Sequence, residues 1–484
     1  MKELNKNNNS ITKNNTERIL QFGGGNFLRG FVDWIIDVYN EKTNSALGVW
    51  VVKPTERGDY ETWKQQDGLF HILTKGIKNG KLVNENRLIT CVNRIIHPYR
   101  DWEGFLKSAE NPELRFIISN TTESGIKFNV TDKKTDTPPH EFPAKLTLWL
   151  YHRYQFFQGK KEKGCVMIPT ELLIDNGLLL KECILKNADA WGLETGFKTW
   201  IEKANIFCNT LVDRIIPGVN KNKLAEVWEE IGFEDKMVTQ GEPYHFLAIE
   251  APQPVRDELP LDKIGLNIIY ANDLTPYRTR KVRILNGAHT SMVPVGYLYG
   301  IETVRETIEH EVMGKFVHQC IFNEIIPTLD LPNEELHQYA NDVLDRFKNP
   351  FIHHELISIS LNATSKFTTR VLPSILEFKN RTGLLPKGLV FSMAALIHFY
   401  KGERDGVVIP IKDNGVAIDF LKNRWNECDC TLEGFEKMAK QILAWKKNWG
   451  NDLSKDSRFV DQLAEQLFFI ERDGIKKTVK EILK

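Results

Sequence analysis

The stretch ILQFGGGNFLRG, residues Ile19–Gly30, predicts a strand that runs through a glycine-rich turn into a helix. Ile19–Phe22 is apolar and strand-like, and apolar residues recur at helical spacing over Phe27–Tyr39. Glycine lets the backbone turn sharply and approach a phosphate, and the free N–H groups of the helix start can then hold that phosphate. The spacing is G-x-G-x-x-x-x-G rather than G-x-G-x-x-G. A tight turn that only needs positive φ is therefore the alternative to a dinucleotide site.

Outward from this stretch, short apolar runs alternate with helical patterns at Leu47–Val52, Leu114–Ser119 and Cys165–Pro169. Such apolar strands are typical of a parallel sheet covered on both faces. Past residue 275 we find no convincing strand. Helical patterns there cover Tyr277–Tyr299, Val304–Ile326, Glu334–Phe347, His354–Val371, Leu389–Phe399 and Leu432–Lys447. We predict an α/β protein, with a Rossmann-like, doubly wound sheet domain over residues 1–270 and a mainly α-helical domain over residues 271–484.

The composition excludes several classes of function. The 64 basic residues balance 64 acidic ones, which gives no support for nucleic-acid binding. No apolar run reaches the roughly 18 residues of a membrane span. The polar, Asn-rich residues 1–18 predict a loose leader rather than a signal peptide. The seven scattered cysteines fit free thiols in a reducing cytoplasm. We expect a small-molecule partner. The oligomeric state stays open, and a monomer is compatible with the sequence.

The residues alone leave the choice between NAD and NADP open. Where NAD-binding folds usually carry an acidic residue for the ribose hydroxyls, after the second strand, this chain has Lys53. Lys53 and Arg57 could instead favour the 2′-phosphate of NADP. The candidate cofactor-binding residues come from the glycine loop and from the end of the third apolar run. They are Phe22, Gly23, Gly24, Gly25, Asn26, Phe27, Leu28, Arg29, Gly30, Asn120 and Thr121.

The segment KVRILNGAHT, Lys281–Thr290, predicts a helix that carries acid/base chemistry. Asn286 and His289 are three apart and share a face, whereas Lys281 lies roughly 80° round an α-helix from His289. A lysine can give a proton to a carbonyl oxygen during its reduction, and an asparagine NH₂ can donate to the same oxygen. Taken singly, a solvated lysine, a packing asparagine and a core histidine are the alternatives. A zinc site is weakly supported, because His289 has no ligand partner at suitable spacing.

GGGNFLRGF, NTLVDRI and KVRILNGAHT together resemble the long-chain mannitol dehydrogenase family, through most of the chain. GAHT, NTTE and YKGER point towards its hexuronate branch. The resemblance implies a nucleotide-binding domain followed by a mainly helical domain. It also implies NAD as the cofactor, although the acidic residue after the second strand is absent. The implied reaction is the reversible reduction of D-tagaturonate to D-altronate in hexuronate breakdown, without a metal.

The resemblance also implies roles for individual residues. Lys281 matches the acid/base lysine of the family motif K-x4-N-x2-H, and Asn286 matches its oxyanion-site asparagine. Asn209, in FCNTLVDRI, matches the second oxyanion asparagine of the polyol enzymes. His289 matches a substrate contact, and Lys366 matches a substrate-facing lysine.

One departure from the polyol enzymes concerns the substrate. They have an arginine eight residues before the matched lysine, where this chain has Ser358. Lys366 and Arg370 are four apart on a predicted helix, so we expect them to hold a substrate carboxylate. Surface charge or a structural ion pair is the alternative. Rival functions are a fructuronate or polyol dehydrogenase, a non-catalytic nucleotide- or sugar-binding protein, and a zinc-dependent dehydrogenase.

Overall fold

A computed structural model describes residues 1–9, 15–58, 60–122 and 124–484. The chain divides into two compact units. The first comprises Met1–Gly76 and Leu82–Leu274, and the second comprises Ile77–Lys81 and Thr275–Lys484. Among the helices of the described ranges, none has the length and apolar character needed to cross a membrane.

The first unit is built on a parallel sheet of six strands. These are β1 (Thr16–Phe22), β2 (Leu47–Val52), β3 (Val92–Ile96), β4 (Phe116–Ser119), β5 (Val166–Pro169) and β6 (Ile206–Phe207). Their spatial order is β3-β2-β1-β4-β5-β6, so the direction of winding reverses beside β1. Dinucleotides bind at such a reversal, outside the carboxyl ends of the strands. The predicted Rossmann-like, doubly wound sheet is confirmed.

Both faces of this sheet are covered, which explains the near-continuous apolar strands. Ile19 belongs to the apolar core on one face, and the next residue, Leu20, belongs to the core on the other face. Helix Trp34–Thr43 packs Ile35 into the first core, and helix Phe142–Phe156 packs Trp149 into the second. Successive side chains of a strand point to opposite faces, so neither face of β1 can be polar.

The carboxyl ends of four strands lie side by side in register. Phe22 at the end of β1 pairs with Val52 and with Ser119, and Ser119 in turn pairs with Pro169. The segments that follow these strands therefore meet at one edge of the sheet. The glycine loop is the segment that follows β1, at the centre of that edge.

The remaining strands form small sheets. One contains Phe70–Lys78, Lys81–Ile89 and Thr239–Gly241, another contains Asn209–Asp213, Phe246–Glu250 and Ile268–Ala271, and a pair joins Lys2–Glu3 to Phe233–Glu234. That pair and the buried Leu4 correct the expectation of a loose leader for residues 1–9, because the chain start adds a strand to a partner far along the sequence. Residues 10–14 of the leader lie outside the described residues.

The helices up to residue 274 include the two already named and several others. The others are Lys6–Asn9, Asn26–Leu28, the π-helical turn Arg29–Asp33, Glu61–Gln65, Trp102–Lys107, Asn176–Ala190, Thr195–Ala204, Leu224–Ile231 and Gln253–Glu258. Single 3₁₀ turns lie at Ser108–Glu110, Lys161–Lys163, Lys221–Lys223 and Leu261–Lys263.

The second unit is mainly α-helical, as predicted. Its α-helices are Thr275–Arg280, Gly287–Tyr299, Val304–Glu309, Glu311–His318, Asn333–Phe347, Leu356–Ile359, Ala363–Arg370, Leu372–Thr382, Lys387–Phe399, Gly415–Glu427, Leu432–Leu443, Lys446–Trp449, Ser457–Asp473 and Ile475–Ile482. The other helical turns are Lys281–Asn286 and Gln319–Ile325, which are π-helical, and the 3₁₀ turns Ile326–Thr328 and Leu453–Lys455.

The expectation of no strand in the second half is wrong in one place. Glu403–Arg404 pairs antiparallel with Val407–Val408. Asp405 and Gly406 between them have φ of 51° and 76°, which suits the tight turn of a two-residue hairpin. Strands of two residues are too short to show an alternating pattern, so only the Asp-Gly pair could have indicated this hairpin.

Candidate active site

The glycine loop has two packed glycines and one open glycine. Gly23 has φ of 116°, and a Cβ there would come within 3.1 Å of the backbone oxygen of Asn120. At Gly24 a Cβ would come within 2.7 Å of the Trp63 ring. Gly25 is exposed, and nothing lies within 4 Å of a Cβ built on it. A ligand can therefore approach the backbone at Gly25, where the first N–H groups of the helix have no partner inside the helix.

The side chains of the loop divide between exposed and buried ones. Asn26 and Phe27 keep accessible surface, whereas the buried candidates are Phe22, Gly23, Gly24, Leu28, Arg29 and Gly30. The guanidinium of Arg29 turns inward, donating to Asn26 Oδ1 at 2.7 Å and to the backbone oxygen of Met237. Burial lowers the pKa of Arg29. The buried guanidinium of Arg29 thus stabilises the loop from the protein interior. Only the backbone of Arg29, not its charge, is offered to a ligand.

Lys53, which follows β2, is buried and fully engaged. Its Nζ donates to the carbonyl and the hydroxyl oxygens of Thr55, at 2.7 and 2.8 Å, and to the carbonyl of Arg57. An ammonium has three N–H donors, so these contacts occupy all of them. In this arrangement Lys53 has no N–H left for a 2′-phosphate, which was one of the two alternatives that the sequence left open. The side chain instead closes the loop that follows β2, while Arg57 itself is exposed.

Asn120 and Thr121, which follow β4, are tied to the end of β5. Asn120 Nδ2 donates to the carbonyl of Thr170 at 2.7 Å, and the N–H and hydroxyl of Thr121 both donate to Glu171 Oε1 at 2.9 Å. Ser119 donates to the other oxygen of Glu171 at 3.0 Å. Glu171 is buried, and burial raises its pKa. Sequence reasoning missed Glu171, which positions the Asn120–Thr121 backbone at the edge of the sheet where the glycine loop lies.

Asn209 has a defined amide orientation. Its Oδ1 accepts from the backbone N–H groups of Gly177 and Leu178, at 3.1 and 3.3 Å. Those groups begin helix Asn176–Ala190 and can only donate, so the NH₂ must face the other way. Nδ2 donates to Glu250 Oε2 at 3.2 Å. One amide N–H then remains for a ligand oxygen, as the predicted oxyanion role requires.

The helix that carries the lysine motif contains a π-helical turn at its centre. Helices Thr275–Arg280 and Gly287–Tyr299 flank the turn Lys281–Asn286, and the residues at both junctions have α-helical backbone angles. Residues five apart lie about 140° apart around an α-helix. The i→i+5 bonding of a π turn instead brings them one above the other. The α-helical reading of this segment is therefore corrected, and Lys281 lies on the same side of the helix as Asn286.

The side-chain amide of Asn286 is available to a ligand. It makes no hydrogen bond to any residue in the part of the chain that the structure describes, although the Asn286 carbonyl accepts from Thr290 Oγ1 at 2.8 Å. His289, three residues on, lies next to it on the helix. The second unit thus places the predicted acid/base lysine, one predicted oxyanion donor and a predicted substrate contact together.

His289 lies in basic surroundings. Its ring centroid lies 4.2 Å from that of Phe347 and 5.2 Å from that of His354. Its Nε2 is buried, with no hydrogen-bond partner among the described residues. Burial lowers the pKa of His289 well below its usual value, and basic neighbours lower it further. The charged groups that act most strongly on it are all basic, namely His354, Arg346, Arg370 and Lys366.

The predicted carboxylate-binding pair lies on helix Ala363–Arg370. Lys366 Nζ donates to the carbonyl of Ile359 at 2.9 Å, which leaves further ammonium donors. The guanidinium of Arg370 makes no hydrogen bond or ion pair within the described ranges. Burial lowers the pKa of both side chains, and the charge of Arg370 contributes to the shift at Lys366. A structural ion pair, the alternative for Arg370, is not seen.

Asp413 anchors this short helix, and sequence reasoning missed it. One carboxylate oxygen accepts from the N–H and the hydroxyl of Thr364, both at 3.0 Å, and from the hydroxyl of Tyr400. Asn362 just before the helix has φ of 55°, which separates the predicted helix His354–Val371 into two pieces. Asp413 thereby sets the position of the helix that carries Lys366.

Comparison with known proteins agrees with both units. Residues 17–263 match the mannitol dehydrogenase Rossmann domain, and residues 273–470 match the mannitol dehydrogenase C-terminal domain. The chain is similar to the altronate oxidoreductase of Phocaeicola vulgatus, with 44% identity over 100% of both chains.

Two solved structures share the fold. The first is a D-sorbitol dehydrogenase in substrate-free form, with a TM-score of 0.80 and 20% identity over 99% of this chain and 100% of that one. The second is the Pseudomonas fluorescens mannitol 2-dehydrogenase in a ternary complex with NAD and D-mannitol, with a TM-score of 0.63 and 19% identity over 99% of each chain. With the domain matches and the full-length relative, the chain belongs to the mannitol dehydrogenase family, as an oxidoreductase that acts on the CH–OH group of a polyol or sugar acid.

Proposed function

We propose that this chain uses NADH to reduce the ketone of D-tagaturonate to D-altronate, and that it also catalyses the reverse oxidation. The observation that carries the proposal is the pair of basic side chains Lys366 and Arg370 on one helix near His289, of which Arg370 makes no hydrogen bond or ion pair within the described ranges. A hexuronate brings a carboxylate that this pair can bind, whereas a neutral polyol offers Arg370 no charged partner. The likeness to an altronate oxidoreductase supports the same substrate class.

The first unit offers a cradle for the nucleotide. The exposed backbone at Gly25, next to two glycines that tolerate no side chain, fits a diphosphate at the start of the helix. Asn120 and Thr121 present their backbone at the same sheet edge, held there by Thr170 and Glu171. Bound NADH supplies the hydride, and the protein supplies position and electrostatics.

The remaining chemistry falls to three donors. Lys281 gives its proton to the nascent alkoxide and takes it back in the reverse reaction. Asn286 and Asn209 each have an amide N–H without a partner among the described residues, and we assign both to the developing negative charge on that oxygen. The π turn supports this assignment for Lys281 and Asn286, because it brings the two residues to the same side of the helix.

Activity with a panel of ketones tests the proposal directly. NADH oxidation, followed by absorbance, is compared for D-tagaturonate, D-fructuronate and D-fructose at equal concentrations. We expect the highest kcat/KM with D-tagaturonate and little turnover of neutral D-fructose. Preference for D-fructuronate would reassign the substrate within the hexuronates, and preference for D-fructose would contradict the role given to Lys366 and Arg370.

Arg370→Ala is expected to raise the KM for D-tagaturonate by about 10- to 100-fold, since a charge-assisted hydrogen bond contributes about 1.5–3 kcal/mol. The Kd for NADH should stay unchanged. Arg305→Ala is the matched control, because Arg305 is an exposed side chain that pairs, among the described residues, only with Glu309 in the same helix. An unaltered KM in Arg370→Ala would remove Arg370 from the substrate site.

The engaged ammonium of Lys53 favours NAD over NADP, because it has no donor left for a 2′-phosphate. We expect kcat/KM to be higher with NADH than with NADPH by about tenfold or more, or about 1.4 kcal/mol. Saturation kinetics with both nucleotides at fixed D-tagaturonate give this ratio. Preference for NADPH would contradict the expectation and would point to the exposed Arg57 as a phosphate contact.

The same assays separate the rival functions. Binding of NADH without turnover of any ketone would favour a non-catalytic binding protein, and loss of activity with a chelator would favour a zinc-dependent dehydrogenase. We also propose a cytoplasmic location, because all seven cysteines are free and five of them are buried.

A further inference from the structure

Arg283 is a cation of the lysine motif to which neither the fold nor the proposed reaction gives a role. Its Nη1 is buried without a hydrogen-bond partner. Across the described ranges its side chain also makes no ion pair. Burial lowers the pKa of Arg283. The Arg283 side chain as a whole is only part-buried, so its unusual feature is this one buried nitrogen without a partner. A buried donor without a partner is unfavourable, so this group points to a ligand oxygen that completes its contacts.

Other buried arginines of this chain show what a structural arginine looks like here. Arg153 donates to four backbone carbonyls, those of Lys163, Ala109, Asn111 and Leu114. Arg214 donates to the carbonyls of Glu242 and Gly30, at 2.9 and 2.7 Å. Each of these guanidiniums connects separate segments of the chain by donating to their backbone carbonyls. Arg283, by contrast, makes no such hydrogen bond among the described residues.

We propose that Arg283 binds an anionic oxygen group that a ligand carries, either the carboxylate of the sugar acid or a phosphate of the nucleotide. Both groups accept two parallel hydrogen bonds from the planar guanidinium fork. The identity of the two ligands rests on the proposed function, whereas the buried, unpaired Nη1 of Arg283 does not.

Arg283→Gln, Arg283→Lys and the surface control Arg305→Gln test this proposal with three measurements. These are the Tm without ligand, the Kd for NADH and the KM for D-tagaturonate. We expect Arg283→Gln to unfold at about the same temperature as wild type, because Arg283 makes no hydrogen bond or ion pair among the described residues that glutamine would lose. Either the Kd for NADH or the KM for D-tagaturonate should rise about 10- to 100-fold in this variant. The same constant in Arg283→Lys should lie between those of wild type and Arg283→Gln. Lysine keeps the positive charge but lacks the two parallel N–H donors of the guanidinium.

The ligand constants distinguish the two sources. A weaker Kd for NADH assigns the phosphate, and a higher KM for D-tagaturonate with unchanged Kd for NADH assigns the carboxylate. A lower Tm in Arg283→Gln with both constants unchanged overturns the proposal and makes Arg283 structural. If wild type turned over no hexuronate, the proposed function would fail. The NADH titration would then still test whether Arg283 binds a phosphate of the nucleotide. An unchanged Kd for NADH in Arg283→Gln would then overturn the proposal.

Discussion

Replacing Lys281 by alanine should lower kcat with D-tagaturonate by about 10²- to 10⁴-fold, the usual contribution of a positioned acid or base. The variant loses the group that we expect to protonate the alkoxide, while the glycine loop, which lies in the other unit, is unchanged. The Kd for NADH should therefore match that of wild type. Steady-state NADH oxidation and a fluorescence titration of NADH give the two numbers.

Lys281→Arg is the informative partner of this variant. Arginine keeps the positive charge, but it does not deprotonate in proteins, so it can stabilise an alkoxide without exchanging a proton. If proton transfer is the role of Lys281, both variants should be similarly slow. Substantial activity in Lys281→Arg would reduce that role to electrostatic stabilisation, and near-normal activity in Lys281→Ala would remove Lys281 from the mechanism.

Replacing Asn286 by alanine should lower kcat and kcat/KM together by about 10²- to 10³-fold, as when one oxyanion donor is lost. The side-chain amide of Asn286 makes no hydrogen bond within the described residues, so its removal costs no packing contact of that kind. Alanine also has the higher helix propensity. We therefore expect thermal unfolding at the wild-type temperature or above it, in spite of the loss of turnover.

Asn286→Asp is the matched control for the donor role. Aspartate keeps the shape of the side chain, but its carboxylate only accepts hydrogen bonds and would oppose the charge on the alkoxide. Its turnover should be lower than that of Asn286→Ala. Higher activity in Asn286→Asp than in Asn286→Ala, measured with D-tagaturonate at saturating NADH, would be incompatible with a donor at this position.

Most of the fold could be predicted from patterns within short stretches of the sequence. The strand, glycine turn and helix around Gly25 follow one another without interruption, so apolar runs and helical spacing sufficed to predict them. The observed strand Thr16–Phe22 and the helix that begins at Asn26 agree with that reading. The mainly helical second unit was predictable for the same reason, because amphipathic spacing repeats over each helix.

Contacts between distant positions were not predictable in this way. Thr364 and Asp413 are 49 residues apart, and Thr121 and Glu171 are 50 apart. Nothing in the spacing of either pair indicates a contact, because only the folded chain brings them together. Lys53 is a related case, because the three oxygen atoms that accept from its ammonium could not be predicted from its place after β2.

The lysine motif shows a third limit, which concerns geometry rather than distance. Spacing identified Lys281, Asn286 and His289 as a motif, and α-helical geometry placed Lys281 roughly 80° round the helix from His289. The π turn changes that geometry, because its i→i+5 bonding brings Lys281 and Asn286 to the same side. Such a turn lies between regular helices and leaves no strong compositional mark, so the sequence alone could not indicate it.

The π turn also bears on which changes of chain length this helix tolerates during evolution. A π turn is in effect one residue too many within an α-helix, and regular helix lies on both sides of Lys281–Asn286. Deleting one of the residues between Lys281 and Asn286 would let the helix wind regularly again and would leave the two residues four apart. Residues four apart share a face of an α-helix, so the lysine and the asparagine would still line up. A one-residue deletion within a regular helix instead rotates the residues on one side of it by about 100° relative to those on the other. The motif thus tolerates, at its centre, a loss that would misalign side chains elsewhere in the helix.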